Sequence, residues 1–421
     1  MPTDTKAANP VLIALAAMVS LAVIMGIGRF VFTSLLPMML RDHLVDLRQG
    51  GGLATANYIG YFVGAMMCTV IRRYSRHAVR QCLAAVVVLT ALMGWFDGQV
   101  VWVILRFVTG VVTGFGFVST SGWCLGWLAA TNRMHLGGIM YMGPGVGIFV
   151  SGLVGSAMFD HGWRSQPAWV WCGALALVSS LLIWRIAGRA APSAARPGHA
   201  AKTVQAGHTA ARNVPLAQDR GPGSRAATPA VPRYLVVGHI LAYGMEGFGY
   251  IITATFLPVM AHHALANASG QALLWPLFGL CIAVGALLST RVPVAWNHCK
   301  LLATAYLLQC LGVLCTVFWL SITGFALGSI LLGLPFTAIT LFGMREAGRL
   351  GGAKGVQLMA AMTACYALGQ IVGPPLATHL VSYTGGFGAS LGVAAVILFL
   401  GAALYMTLFV LERRFIRSCR G

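Results

Sequence analysis

Apolar stretches of about 20 residues recur along the whole chain, and no other feature limits the fold as tightly. They fall at 11–40, 51–71, 81–97, 99–129, 136–159, 168–186, 234–260, 271–291, 301–319, 322–343, 355–381 and 388–411, six on each side of a central gap. Each is long enough to cross a hydrocarbon core, where backbone polar groups must be satisfied within the segment, so each is expected to be a helix. Composition agrees, because only 9% of the residues are charged against roughly a quarter in a soluble domain. The 52 glycines suit helices that pack closely without a hydrophobic drive between them. The expected fold is an all-α polytopic membrane protein of twelve transmembrane helices in two six-helix bundles, 1–186 and 234–421.

Between the bundles, 187–233 holds Pro192, Pro197, Pro215, Pro222, Pro229 and Pro232 among alanine, glycine and arginine, a composition expected to form a disordered cytoplasmic linker. Its His199 and His208 read as solvent-exposed residues. Lys and Arg set the orientation: with the N-terminus inside, 23 fall on the inner side and three, Arg41, Arg48 and Arg164, on the outer. Both termini are therefore expected in the cytoplasm. Trp95, Trp102, Trp163, Trp169, Trp275 and Trp319 are placed at the outer interface by the same frame. The net charge of +19 lies in short loops and the linker, which suits anionic headgroups and excludes a nucleic-acid reader. The ten cysteines form no Cys-x-x-Cys pair and read as buried free thiols; no metal site and no cofactor are expected. The first apolar stretch is too long for a signal peptide and reads as a retained span.

The chain repeats itself. At an offset of 221, Gly26, Gly28, Leu36, Pro37 and Met39 match Gly247, Gly249, Leu257, Pro258 and Met260. Gly64-Ala65 meets Gly285-Ala286 at the same offset, and Gly143-Pro144 meets Gly373-Pro374 at 230. A six-helix unit duplicated in parallel is a common way to build a secondary transporter.

Gly26-Ile27-Gly28-Arg29-Phe30 through Leu35-Leu36-Pro37, with Ala56-Asn57-Tyr58-Ile59-Gly60-Tyr61, resembles the YbfB/YjiJ-like branch of the major facilitator superfamily. The resemblance implies the major facilitator fold, alternating access around a central cavity, usually driven by protons, and a bacterial inner membrane location. Arg106 with Gly110 and Gly114 resembles the helix-four arginine motif tied to proton coupling. Gly143-Pro144 with Gly147 resembles part of the helix-five motif common in antiporters. After Gly64, Arg72-Arg73 has the spacing of the family's loop motif, but Cys68 stands where an aspartate is expected and Ile71 replaces a glycine.

Within these boundaries only Arg29, Arg106 and Glu246 are charges well inside spans, and each costs about 2.5–3.5 kcal/mol at a helix centre unless it has a cavity or partner. Glu246 is the one acid among them, and a carboxyl so placed suits reversible protonation; a structural hydrogen bond is the alternative. The repeat puts Arg29 one helical turn from the equivalent of Glu246, so the two are expected to face each other across the cavity. Arg29 reaching the outer headgroups is the alternative, as is a purely structural Arg106. Candidate cavity-lining residues are Asn57, Tyr61, Tyr141, Tyr243, Tyr250, Gln357 and Tyr366, with structural roles for His239 and His379. Gly143, Pro144, Gly373 and Pro374 are candidate hinges.

A membrane-embedded enzyme would need a nucleophile and base, paired carboxylates or a metal cluster, none of which is visible. A sensor would need a soluble domain. No Gly-x-x-x-x-Gly-Lys-Ser/Thr loop is present for ATP-driven pumping. The expected function is proton-coupled efflux of a small organic solute by a monomer in the lipid bilayer, its partners being the solute and protons. Import of an organic anion by proton symport is the alternative, favoured by the paired arginines.

Overall fold

The computed structural model describes residues 9–70, 77–189, 232–265, 270–293 and 295–418. The proposed linker, apart from its edges, lies outside the described residues, as do His199, His208, Ile71 and Arg72-Arg73. The described residues form helices and no strand: α1 Pro10–Leu21, α2 Val31–Arg41, α3 Leu47–Val70, α4 Ala78–Trp95, α5 Gln99–Ala130, α6 Gly137–Tyr141, α7 Gly143–Asp160 and α8 Ser165–Ile183 come first. After the central gap come α9 Arg233–Ala264, α10 Leu274–Arg291, α11 His298–Phe318, α12 Ile322–Gly351, α13 Gly355–Thr384 and α14 Gly388–Ser418. Ten of the helical segments are long and apolar enough to cross a membrane, with α1–α2 and α6–α7 each counted as one. α3 and α13 are further long helices of 24 and 30 residues.

The first span is interrupted. α1 runs into a π-helical turn at Ala22–Ile27, residues 28–30 form a turn, and α2 resumes at Val31. Gly28 N–H reaches back five residues to the Val23 carbonyl (2.9 Å), and Phe30 N–H to Met25 (3.1 Å). At this wide turn the backbone presses on span five: a Cβ on Gly26 would lie 2.3 Å from Gly147 Cα. Only glycine allows two main chains to touch in this way.

The duplication is visible in packing. A Cβ on Gly64 of α3 would meet the Val111 carbonyl of α5 at 2.0 Å, and one on Gly285 of α10 would meet the Leu334 carbonyl of α12 at the same distance. The helices before and after the gap meet along α7–α10, α3–α13 and α2–α9. At the last contact Thr33 Oγ1 donates to the Ala254 carbonyl (3.2 Å), joining two positions related by the repeat offset of 221. Nearby, the Tyr58 hydroxyl and Thr255 Oγ1 are 2.9 Å apart.

Several local expectations change. Span ten continues past 343 to Gly351, which brings Arg345, Glu346 and Arg349 onto the helix. Trp95, Trp163 and Trp319 are exposed, whereas Trp102, Trp169 and Trp275 are buried inside the helix packing. Span five breaks at Met142, immediately before Gly143-Pro144, while α13 runs unbroken through Gly373-Pro374. Pro144 sits in the first turn of α7, where no N–H is needed, so the two Gly-Pro pairs are not structurally equivalent.

Candidate functional site

A cavity of about 170 Å³ opens between the two sets of helices at the level of the break in span one. Tyr61, Tyr141, Tyr243, Tyr250 and Tyr366 line it, and Arg29 is its one charged lining residue among the described residues. The turn at residues 28–30 carries Arg29, so the interruption of the helix and the placing of the charge are one event.

Arg29 is 3% exposed and does not reach toward headgroups. Its Nη2 donates to Gln370 Oε1 of α13 (2.9 Å). Its guanidinium lies over the rings of Tyr61 (4.2 Å to the centroid), Tyr58 (4.9 Å) and Phe30 (5.2 Å), an arrangement in which ring faces offset part of the lost hydration. Nε has no hydrogen-bond partner. Gln370 in turn donates through Nε2 to the Tyr250 hydroxyl of α9. The chain Arg29–Gln370–Tyr250 therefore spans the gap between the two sets of helices.

Gln370 is absent from the residues singled out in the sequence. It lies one turn beyond Tyr366 on α13, and that i, i+4 spacing was the available signal. Gln357, chosen instead, is exposed near the start of α13 and does not line the cavity. Asn57 is fully buried but faces α5, where its Nδ2 donates to the Arg106 carbonyl (3.0 Å).

Arg106 is also outside the cavity. Its Nη2 donates to the Arg29 carbonyl (3.1 Å) and its Nη1 lies 3.4 Å from the Gly28 carbonyl. Broken helices leave such carbonyls without partners, and here one guanidinium from α5 fills both places. Its charge rests over the Phe32 ring at 4.7 Å.

Glu246 does not face Arg29, and no ion pair joins them among the described residues. It points into the C-terminal set, 1% exposed, with Oε1 3.4 Å from Gln309 Nε2 of α11. Oε2 has no hydrogen-bond partner, and the Tyr366 side chain lies beside the carboxyl. The position matching Arg29 on the continuous α9 is Tyr250, which lines the cavity, whereas Glu246, one turn earlier, lies against Gln309 of α11. Tyr366 both lines the cavity and lies beside Glu246. Nor is Glu246 the sole buried acid: Glu346, also 1% exposed, sits near the end of α12 beside His239. His379 meets the Tyr383 ring edge-on toward the other end of α13, away from the cavity.

A duplicated chain whose described residues form helices and no strand, and whose two copies wall one cavity, has the build of a membrane transporter. Residues 21–219 and 210–406 match the model of a family described as uncharacterised MFS-type transporter YbfB, and the chain belongs to that family. It is thus a multi-pass membrane transporter of the major facilitator type. Comparison with curated proteins finds no match.

Proposed function

We propose that the chain is a secondary active transporter of twelve spans in two six-helix bundles, 1–186 and 234–421, that exports a small organic solute in exchange for protons. The observation that carries this reading is the Arg29 guanidinium, a lone charge with an unpartnered Nε in a tyrosine-walled cavity. Such a wall suits a solute with an apolar or aromatic body, and the cation suits an acidic group on it.

Thr33–Ala254 and Tyr58–Thr255 join the bundles on the α2 side of Arg29, while Met25, Phe117, Tyr141 and Met344 line the cavity on the other. With both termini in the cytoplasm, this is the arrangement of an inward-facing state. Glu246 is the proton carrier in this reading: its Oε2 lacks a partner, and Tyr366, beside it, lines the cavity. Arg106 acts by holding the break in span one. Export draws on the span-five Gly-Pro motif; proton-driven import of an organic anion is the second reading, favoured by the single cation of the cavity.

Comparative metabolite profiling of cells and medium, with wild type against Glu246→Gln, tests the proposal. A solute that accumulates in the medium only with wild type identifies an exporter and its cargo. A solute drawn from the medium into cells establishes import instead, and unchanged profiles contradict both.

A further inference from the structure

Away from the cavity, three side chains from three helices converge on one point. His239 Nε2 of α9, Cys299 Sγ of α11 and Glu346 Oε1 of α12 form a triangle with edges of 3.6, 3.6 and 3.7 Å. All three residues are at most 1% exposed. An ion at the centre of such a triangle would lie roughly 2.1 Å from each corner, close to Zn–N and Zn–O bond lengths and slightly inside a Zn–S bond.

The surroundings fix the polarity of these atoms. His239 Nδ1 faces the Leu235 carbonyl at 2.8 Å, and a carbonyl only accepts. The neutral ring therefore carries its proton on Nδ1 and aims the Nε2 lone pair at the triangle, the arrangement found in metal-binding histidines. Nε2 and Oε1 thus meet one thiol, whose single proton serves only one of them, and Oε1 also accepts from Arg349 Nη2. Glu346 Oε2 is turned away, accepting from His298 Nδ1 (3.1 Å) and Arg349 Nε (3.0 Å).

We propose that His239, Cys299 and Glu346 bind a divalent transition-metal ion of the zinc type, with a fourth position open to water. The imidazole and thiolate select against magnesium and calcium, which prefer oxygen ligands. Binding releases the thiol proton, so the ligands contribute a thiolate and a carboxylate. Arg349, paired with both Glu346 and Glu412, adds one positive charge against one further negative charge. The local sum is then two negative charges, matching a divalent cation. The Arg349 side chain is 44% exposed and forms the way in from the surface. An occupied site would tie the end of α9 to α11 and α12, one turn from the cavity tyrosine Tyr243. Ligands 47 to 60 residues apart leave no local spacing motif to read in the sequence.

The test uses the full-length protein, purified without a polyhistidine tag, and cobalt(II) or zinc alone. Wild type should bind one ion per chain and show a thiolate-to-cobalt charge-transfer band. Cys299→Ser should lose that band, and His239→Ala should bind at least about tenfold more weakly. Cys310→Ser, altering another buried thiol on α11, should match wild type. X-ray absorption on the zinc-loaded wild type needs no variant and should show one sulfur among nitrogen and oxygen ligands. A first shell without sulfur, no binding by wild type, or an unchanged band in Cys299→Ser overturns the proposal.

Discussion

The Arg29 guanidinium and the Gln370 carboxamide, 341 residues apart in the chain, meet at 2.9 Å in the central cavity. One comes from the interrupted first span, the other from the unbroken α13. Their contact holds a buried positive charge in place, with the guanidinium Nε buried and without a hydrogen-bond partner.

Replacing that amide by a carboxylate tests what the cation is for. Gln370→Glu should pair with Arg29 and neutralise the cavity, the Tyr250 hydroxyl then donating to the new oxygen instead of accepting from Nε2. Losing a charge-assisted bond to an anionic solute costs about 1.5–3 kcal/mol, or roughly 10- to 150-fold in affinity. Direct binding to the purified variant checks this. Undiminished affinity would show that the solute carries no group that needs the charge.

Arg106 makes a different prediction, because its donors serve the Gly28 and Arg29 carbonyls rather than the cavity. Arg106→Met should leave two buried carbonyls short of partners, at about 1–3 kcal/mol each, and lower the melting temperature in detergent. Solute affinity should fall with it, since the same turn aims Arg29. A variant of unchanged stability that loses only proton coupling would instead support the coupling role its motif implies.

Gly26 faces Gly147 backbone to backbone, with 2.3 Å available to a Cβ. Main chain cannot give way as a side-chain tip can, so Gly26→Val should cost at least the roughly 1–3 kcal/mol typical of overpacking. The yield of monodisperse protein reports the loss.

At the end of α2, Asp42 Oδ2 accepts from the Ser165 N–H that opens α8 (2.6 Å), and Oδ1 pairs with Arg41 (3.2 Å). Partial burial alone would raise its pKa, but these hydrogen bonds and the Arg41 charge outweigh it and hold the carboxyl below the usual aspartate value. A depressed folded-state pKa stabilises above the unfolded value and ceases to do so as pH falls through the folded one. Asp42→Asn should therefore melt below wild type at neutral pH, and the difference should vanish in strong acid.

The helical fold and the internal duplication were legible because hydrocarbon thickness dictates run length and because close glycine contacts recur at fixed offsets. Gly64 and Gly285 had matching offsets and have matching contacts. The facing of individual charges was less accessible. Arg29 and Glu246 lie on equivalent helices, yet the residue that matches Arg29 and lines the cavity is Tyr250, while Glu246, one turn away, lies against Gln309. Hydropathy also ended span ten too early, since Arg345 and Glu346 lower the average though both are buried. Burial of a charge depends on partners that are distant in sequence, and hydropathy does not register them.

Solute exchange in proteoliposomes, measured without a pH gradient and then with one, tests the division between solute site and proton site most directly. With the solute identified by profiling, Glu246→Gln should exchange labelled for unlabelled solute at the wild-type rate and fail to concentrate it against a gradient. Arg29→Ala should fail at both. Wild-type exchange by Arg29→Ala, or gradient-driven accumulation by Glu246→Gln, would contradict this assignment.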